Sequence, residues 1–298
     1  ISHMQWLLQP IRRWRIIRIS FTYLCRFAFA IIQANLPIYK GVNPNMICKQ
    51  IIFSPTGGTQ KVADLLSQPF GIPAQVIDLC NSSEDFSAYH MTSDTLCIIA
   101  VPVFAGRVPD IAAERLRKIQ GHGATAVLAA VYGNRAFEDA LLELQDIVGE
   151  NGFRCIAGIS AVAEHSIARQ FGAGRPDLQD AQELKDFAKQ ILDKLNQTSW
   201  DAPQLPGNHP YRPYSPSPMH PQVDTSRCTA CDKCAQLCPV QAIPADAPQT
   251  TGATCISCMR CISICPQQAR FLPQELRSAL SQKLAPLCAE RHANQLFL

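Results

Sequence analysis

Eight cysteines crowd the stretch from Cys228 to Cys265. They form two runs, CTACDKCAQLCP and CISCMRCISICP, each of the form C-x2-C-x2-C-x3-C-P. Three thiolates on one tight loop can reach three corners of an iron–sulfur cube. The fourth, on the following turn, points away and serves the other cube. On that reading Cys228, Cys231, Cys234 and Cys265 hold one [4Fe–4S] cluster, and Cys255, Cys258, Cys261 and Cys238 hold a second. Pro239 and Pro266 then turn the chain away from the metal. Two four-ligand zinc sites, or a disulfide framework, would also use eight cysteines. Two complete copies of the run, each closed by proline, favour the clusters.

This segment resembles the two-cluster bacterial ferredoxins over about forty residues. A second chemistry lies upstream. SPTGGT (Ser54 to Thr59) falls between an apolar run and a helical pattern. Hydroxyls and glycines at that place suit an anion, because N–H groups at a helix N-terminus point outward and glycine lets the backbone approach. The loop lacks the Lys-Ser/Thr ending of a triphosphate loop and the G-x-G-x-x-G dinucleotide fingerprint. A tight turn with a capping hydroxyl is the plainer alternative.

The elements that must position these residues follow a regular pattern. Apolar runs at 47–53, 74–79, 95–101, 124–131 and 153–162 alternate with helical segments. TLCIIAV (95–101) is almost wholly apolar, as a strand buried on both faces must be. Asp177 is the expected N-cap of a last helix, with Asp180 and Gln182 in its first turn. Five strands alternating with helices predict an α/β doubly wound parallel sheet.

The loops at the strand ends carry a further resemblance. Ser54, Thr56, Gly57, Gly58 and Thr59 match the S/T-x-T-G-x-T phosphate loop of the flavodoxins, and PVFAGRVP resembles their loop around the isoalloxazine ring. YGNRAFEDALLEL and GFRCIAGISAVAEHS resemble a family of flavodoxin–ferredoxin fusions, and the likeness covers residues 46–270. It implies a flavodoxin-like sheet of order 2-1-3-4-5 with FMN at the carboxyl ends of the strands, beside a small α+β domain holding two [4Fe–4S] clusters. It further implies that Pro102, Val103, Phe104, Ala105, Gly106 and Arg107 line the flavin, with Phe104 stacking on the ring. Tyr132, Gly133, Asn134 and Arg135 would stand on the same rim. Arg107 and Arg135 would stabilise a reduced flavin or lie solvated at the surface. Glu164 and His165, at the end of the fifth strand, are candidates for proton relay, weighed against a hydrogen-bonded loop histidine. Electrons would pass to or from a redox protein partner. Reduction of a small molecule at the flavin, with the clusters as relay, is the alternative.

Composition bounds the rest. The chain has 298 residues, of which 47% are apolar, and carries a formal +3. Six basic residues and no acidic one lie in 1–45, which leaves 21 basic against 24 acidic side chains beyond it. The body therefore lacks a nucleic-acid footprint. The cluster segment itself carries Arg227, Lys233, Arg260 and Arg270 against Asp232 and Asp246. That departs from the acidic surface of stand-alone ferredoxins. Thiolate ligation needs reduced cysteines, which predicts a cytoplasmic setting. Residues 1–4 (ISHM) read as a cloning scar, and 5–40 as a basic amphipathic stretch suited to peripheral membrane contact, or as an appendage ahead of a natural start at Met46. Arg12-Arg13 opens a twin-arginine pattern with no clear cleavage site after it. The expected segments are an extension at 1–45, the sheet domain at 46–197, a stiff proline-rich linker at 198–224, the cluster domain at 225–270 and a helical tail at 271–298 that packs back on the body.

Overall fold

The structure, a computed structural model, describes residues 46–215 and 219–298. The expectations for residues 1–45, membrane contact through 5–40 included, lie outside the described residues. Among those described, no helix is long and apolar enough to cross a membrane.

The apolar runs become parallel strands: β1 (Ile47–Ile52), β2 (Ala74–Asp78), β3 (Thr95–Pro102), β4 (Thr125–Tyr132) and β5 (Arg154–Val162). Between them run α1 (Gly58–Ser67), α2 (Asp110–Leu116) and α3 (Ala140–Glu150), with α4 (Leu178–Leu195) after β5. Their order across the sheet is β2-β1-β3-β4-β5, the flavodoxin-type order with its switch point between β1 and β3. Alternate side chains feed two cores. Ile51, Cys97, Ile99, Val101, Leu128 and Ala130 face Ala112, Leu116, Leu141 and Leu144 on α2 and α3. Ile52, Leu96, Ile98, Val127 and Ala129 face Val62, Leu66, Leu184 and Ile191 on α1 and α4. Double-sided burial is why β3 and β4 show no polar alternation in sequence.

Asp177 caps α4 as expected. Its carboxylate accepts from Gln179 N and Asp180 N, and Asp177 N in turn donates to the Asp180 carboxylate at 2.9 Å. Helix α3 starts at Ala140, after a turn in which Asn134 (φ 63°) and Glu138 (φ 46°) take left-handed backbone angles.

The cluster domain contains a short antiparallel pair, β6 (Gln222–Val223) with β7 (Arg270–Phe271), and two single helical turns, α5 (Lys233–Gln236) and α6 (Arg260–Ser263). The tail forms α7 (Gln274–Leu284) and then β8 (Gln295–Phe297), which pairs antiparallel with Gly158–Ser160 of β5. The sheet therefore has six strands where the sequence predicted five. The end of the tail, expected to be helical, is a strand on the open edge of β5.

The linker is extended, and it is strapped to α3 rather than free between domains. Asp139 accepts from Asn208 N (3.0 Å) and Arg212 N (2.7 Å), Asp146 binds His209 (2.8 Å) and Tyr211, and Leu205 is buried against Gly158.

Candidate functional site

The two cysteine runs fold as one repeat. Left-handed residues recur at Ala230 and Ser257, at Asp232 and Met259, and at Gln241 and Gln268. The fourth cysteine of each run accepts a backbone N–H four residues on: Ala242 N to Cys238 Sγ and Ala269 N to Cys265 Sγ, both 3.3 Å. At Cys265 burial disfavours the thiolate, but backbone donors from Arg270, Ala269 and Gln267 outweigh it and lower the thiol pKa.

Two cavities lie among the cysteines. One, with about 360 Å³ not filled by atoms, is lined by Cys228, Cys231, Cys234 and Cys265. The other, about 330 Å³, is lined by Cys238, Cys255, Cys258 and Cys261. The thirteen cysteines of the described residues are all free of disulfides. Among the described residues no three metal-binding side chains converge on a point where a single ion would sit. Zinc thiolates stand about 2.3 Å from their metal, so four cysteines around a cavity suit a cluster better than one ion. Burial raises the thiol pKa of Cys255, and that of Cys261 to about 11. Positively charged iron is what would hold these sulfurs deprotonated.

The first cavity faces outward: Cys231 is exposed and Cys228 half-buried. The second faces the sheet domain. Cys258 is 8% exposed, and Ile256 packs into the α2/α3 core. Arg115 on α2 donates to Leu79 O (2.5 Å) and to Pro239 O (2.6 Å), one residue past Cys238. Arg260 Nη1 lies 3.5 Å from Ser54 O and Nη2 3.7 Å from Asp78. The buried cysteine set therefore abuts the mouth of the phosphate-type loop.

That loop has the features an anion requires. Gly57 sits at φ 92°, with nothing within 4 Å of the position a Cβ would take. No acidic residue stands in the first turn of α1. Helix geometry leaves the N–H groups of Gly58 and Thr59 without intrahelical partners. Ser54 Oγ accepts from Gln60 N at 3.0 Å and fixes the loop shape. Thr56 is exposed and Thr59 buried. The next loop folds as a tight turn: Phe104 and Arg107 exchange two backbone hydrogen bonds of 3.0 Å around Ala105 (φ 51°) and Gly106 (φ 82°). Positive φ at both central residues is the type I′ geometry. Pro102 and Val103 lead into it, with Phe104 half-buried.

Several side chains expected on the flavin rim have other partners. Arg107 forms a bidentate pair with Glu143 (2.7 and 2.8 Å) and donates to Arg212 O. Arg135 pairs with Glu138 at 3.0 and 2.5 Å. Asn134 is 4% exposed. It donates to Glu290 O (2.8 Å) and Cys288 O (3.2 Å) and accepts from His292 N (3.1 Å), so it latches the tail. Tyr132 is buried against Phe137 and His292.

Glu164 and His165, weighed above as proton relay or as loop residues, both make hydrogen bonds within their own loop. His165 Nδ1 accepts from Ile167 N and Ala168 N, both 3.1 Å. Burial, then the charge of Arg135, pushes the imidazole down to about 4. The ring also fills the space above Gly133, where a Cβ would stand 2.6 Å from it. Burial works against the charge on Glu164, but Gly174 N and Arg169 outweigh it and hold the carboxyl below its usual range. Both groups hold a loop together. Sequence reading missed Arg115, whose role appears only once α2 meets Pro239.

Residues 220–277 match the family of 4Fe-4S dicluster domains. No curated protein matches the chain. Flavodoxins are among the solved structures similar to about half of the chain. The flavodoxin of Streptococcus pneumoniae TIGR4 is 19% identical over 50% of this chain and 99% of that one, with a TM-score of 0.35. A Fusobacterium nucleatum flavodoxin bound to flavin mononucleotide is 14% identical over 50% and 99%, TM-score 0.35. Oxidised Flavodoxin 1 of Bacillus cereus is 14% identical over 49% and 97%, TM-score 0.34. The strand order described above defines the sheet on its own terms. The chain joins a flavodoxin-like sheet domain to a 4Fe–4S dicluster domain. It is a redox protein of the electron-transfer class.

Proposed function

We propose that this chain binds one FMN and two [4Fe–4S] clusters and exchanges electrons with a redox protein partner. When bound, each cluster would carry single electrons and FMN one or two, which lets pairs and single electrons be interconverted. The chain's own residues supply position. Two cysteine sets, Cys228/Cys231/Cys234/Cys265 and Cys238/Cys255/Cys258/Cys261, would ligate the clusters. Ser54, Thr56, Gly57, Gly58 and Thr59 would take the FMN phosphate. The turn at Phe104 and the backbone at Gly133 would flank the ring. Arg115 and Arg260 fasten the buried cysteine set to the sheet.

One observation carries this reading. The two cysteine sets line separate cavities, and the buried one lies against the phosphate-type loop while the other opens outward. That order suits a path from the outer surface to the flavin. The locked, neutral His165 speaks against a small-molecule reductase that uses it for proton transfer.

Anaerobic purification with iron, sulfide and flavin analysis, followed by a reductive titration, tests the proposal. About eight irons, one FMN and about four electrons per chain are expected. Uptake of only one or two electrons refutes the full cofactor set.

A further inference from the structure

Among the described residues, two buried side-chain polar atoms have no hydrogen-bond partner: Nε of Arg260 and Nε of Arg270. Each arginine lines a different cysteine cavity. Arg270 lines the outer one and Arg260 the inner one. Their remaining donors are engaged away from the sulfurs. Arg270 Nη1 binds Thr251 Oγ1 at 2.9 Å, and its Nη2 binds the carbonyls of Pro248 and Thr250. Arg260 directs its two terminal nitrogens to Ser54 O and Asp78. A guanidinium is a rigid planar fork, so fixing its far end also fixes where the Nε–H points. An unpaired buried N–H is costly, and two such groups, one per cavity, call for acceptors inside the cavities. The chemistry that fits is a sulfur of an iron–sulfur cluster, rich in negative charge and able to accept a side-chain donor besides the backbone N–H groups.

We infer that Arg260 and Arg270 each donate an Nε–H hydrogen bond to a sulfur of the cluster in the cavity they line, and so set that cluster's reduction potential. The inference rests on the two-cluster reading above. One-electron reduction adds negative charge to the cluster without taking up a proton. A fixed donor and its positive charge therefore stabilise the reduced form and raise the potential. The two arginines occupy different positions in the repeat, since Arg260 precedes a third cysteine and Arg270 follows a fourth. The two clusters thus receive distinct donors.

The test uses the full chain, purified anaerobically and titrated with dithionite under EPR observation. Arg260→Lys keeps the charge but removes the Nε–H. It should lower the potential of one cluster, by on the order of 59 mV for a tenfold change in its one-electron equilibrium, and leave the other unmoved. Arg270→Lys should do the same to the other cluster. Unchanged potentials in both variants would overturn the inference. So would a shift that Arg260→Met or Arg270→Met produces and the lysine variant does not, since charge alone would then suffice. Where a variant fails to assemble clusters, pulsed EPR of reduced wild-type protein carrying 15Nε-arginine gives an independent answer. One 15N coupling per cluster is expected, and none overturns the inference. Iron analysis separates the two failures: wild-type protein without cubane clusters would sink the functional reading, whereas loaded clusters with no arginine coupling would sink only this one.

Discussion

The guanidinium of Arg115 reaches across the domain junction to the carbonyl of Pro239, 2.6 Å away, while its other terminal nitrogen holds Leu79 O at 2.5 Å. The side chain is buried, also lies over the Phe86 ring, and has its pKa lowered by burial. Charge-assisted hydrogen bonds to buried carbonyls contribute about 1.5–3 kcal/mol each. Arg115→Met should destabilise the protein by about 2–4 kcal/mol. Urea unfolding measures the loss. Limited proteolysis should show earlier release of the dicluster segment; an unchanged cleavage pattern would mean that the junction does not depend on this residue.

The crossed cysteine assignment makes paired substitutions informative. Cys238→Ser with Cys258→Ser strikes one cavity twice and should leave one cluster's worth of iron. Cys238→Ser with Cys234→Ser strikes both cavities and should leave little of either. Equal iron content in the two double variants would contradict the crossing.

His165 gives a pH signature. Its folded pKa of about 4 lies below the unfolded value near 6.5, so the folded state binds fewer protons in that window. The stability it contributes is complete above pH 6.5 and declines as pH falls toward 4. Between pH 7.5 and 5.5 the wild type should lose about 1 kcal/mol through this group. His165→Gln should be less stable at pH 7.5 and flatter across the window. Parallel slopes in the two proteins would show that the imidazole is not held neutral.

Asp139 ties down the strap that links the domains. Burial disfavours its charge, but donation from Arg212 N and from the backbone and side chain of Asn208 holds its pKa below the usual range. Asp139→Ala should free the strap and cost about 2 kcal/mol. Chymotrypsin cleavage after Tyr211 should accelerate several-fold. A strap as resistant as in the wild type would place its anchorage at Asp146 and Leu205 instead.

The central strands were legible because their apolar runs are bounded by turn residues, and because β3 and β4 are buried on both faces. The repeat of the two cysteine runs was legible because its spacing is local. What escaped was non-local. β8 is three residues long, too short for any periodicity, and pairs with residues far back in the chain at Gly158–Ser160. The pairing of Arg107 with Glu143, 36 residues on, has no local signal. Asn134 sits in a loop that reads as cofactor rim, yet its amide serves Cys288, Glu290 and His292. Pro239 and Arg115 carry no mutual signal until the two domains meet.

β8 has one more consequence. The segment from Gln222 to Phe271 leaves the sheet domain after α4, and the chain comes back to add β8 beside β5. The iron–sulfur module is topologically an insertion within the sheet domain rather than a pendant at its end. Two tethers fix it, the strap along α3 and the returning edge strand. Each tether narrows the orientations the module can sample, so the distance from the buried cysteines to the phosphate-type loop is set by topology as well as by contact. Cutting the polypeptide anywhere in the tail would therefore both uncover the edge of β5 and slacken the hold on the clusters.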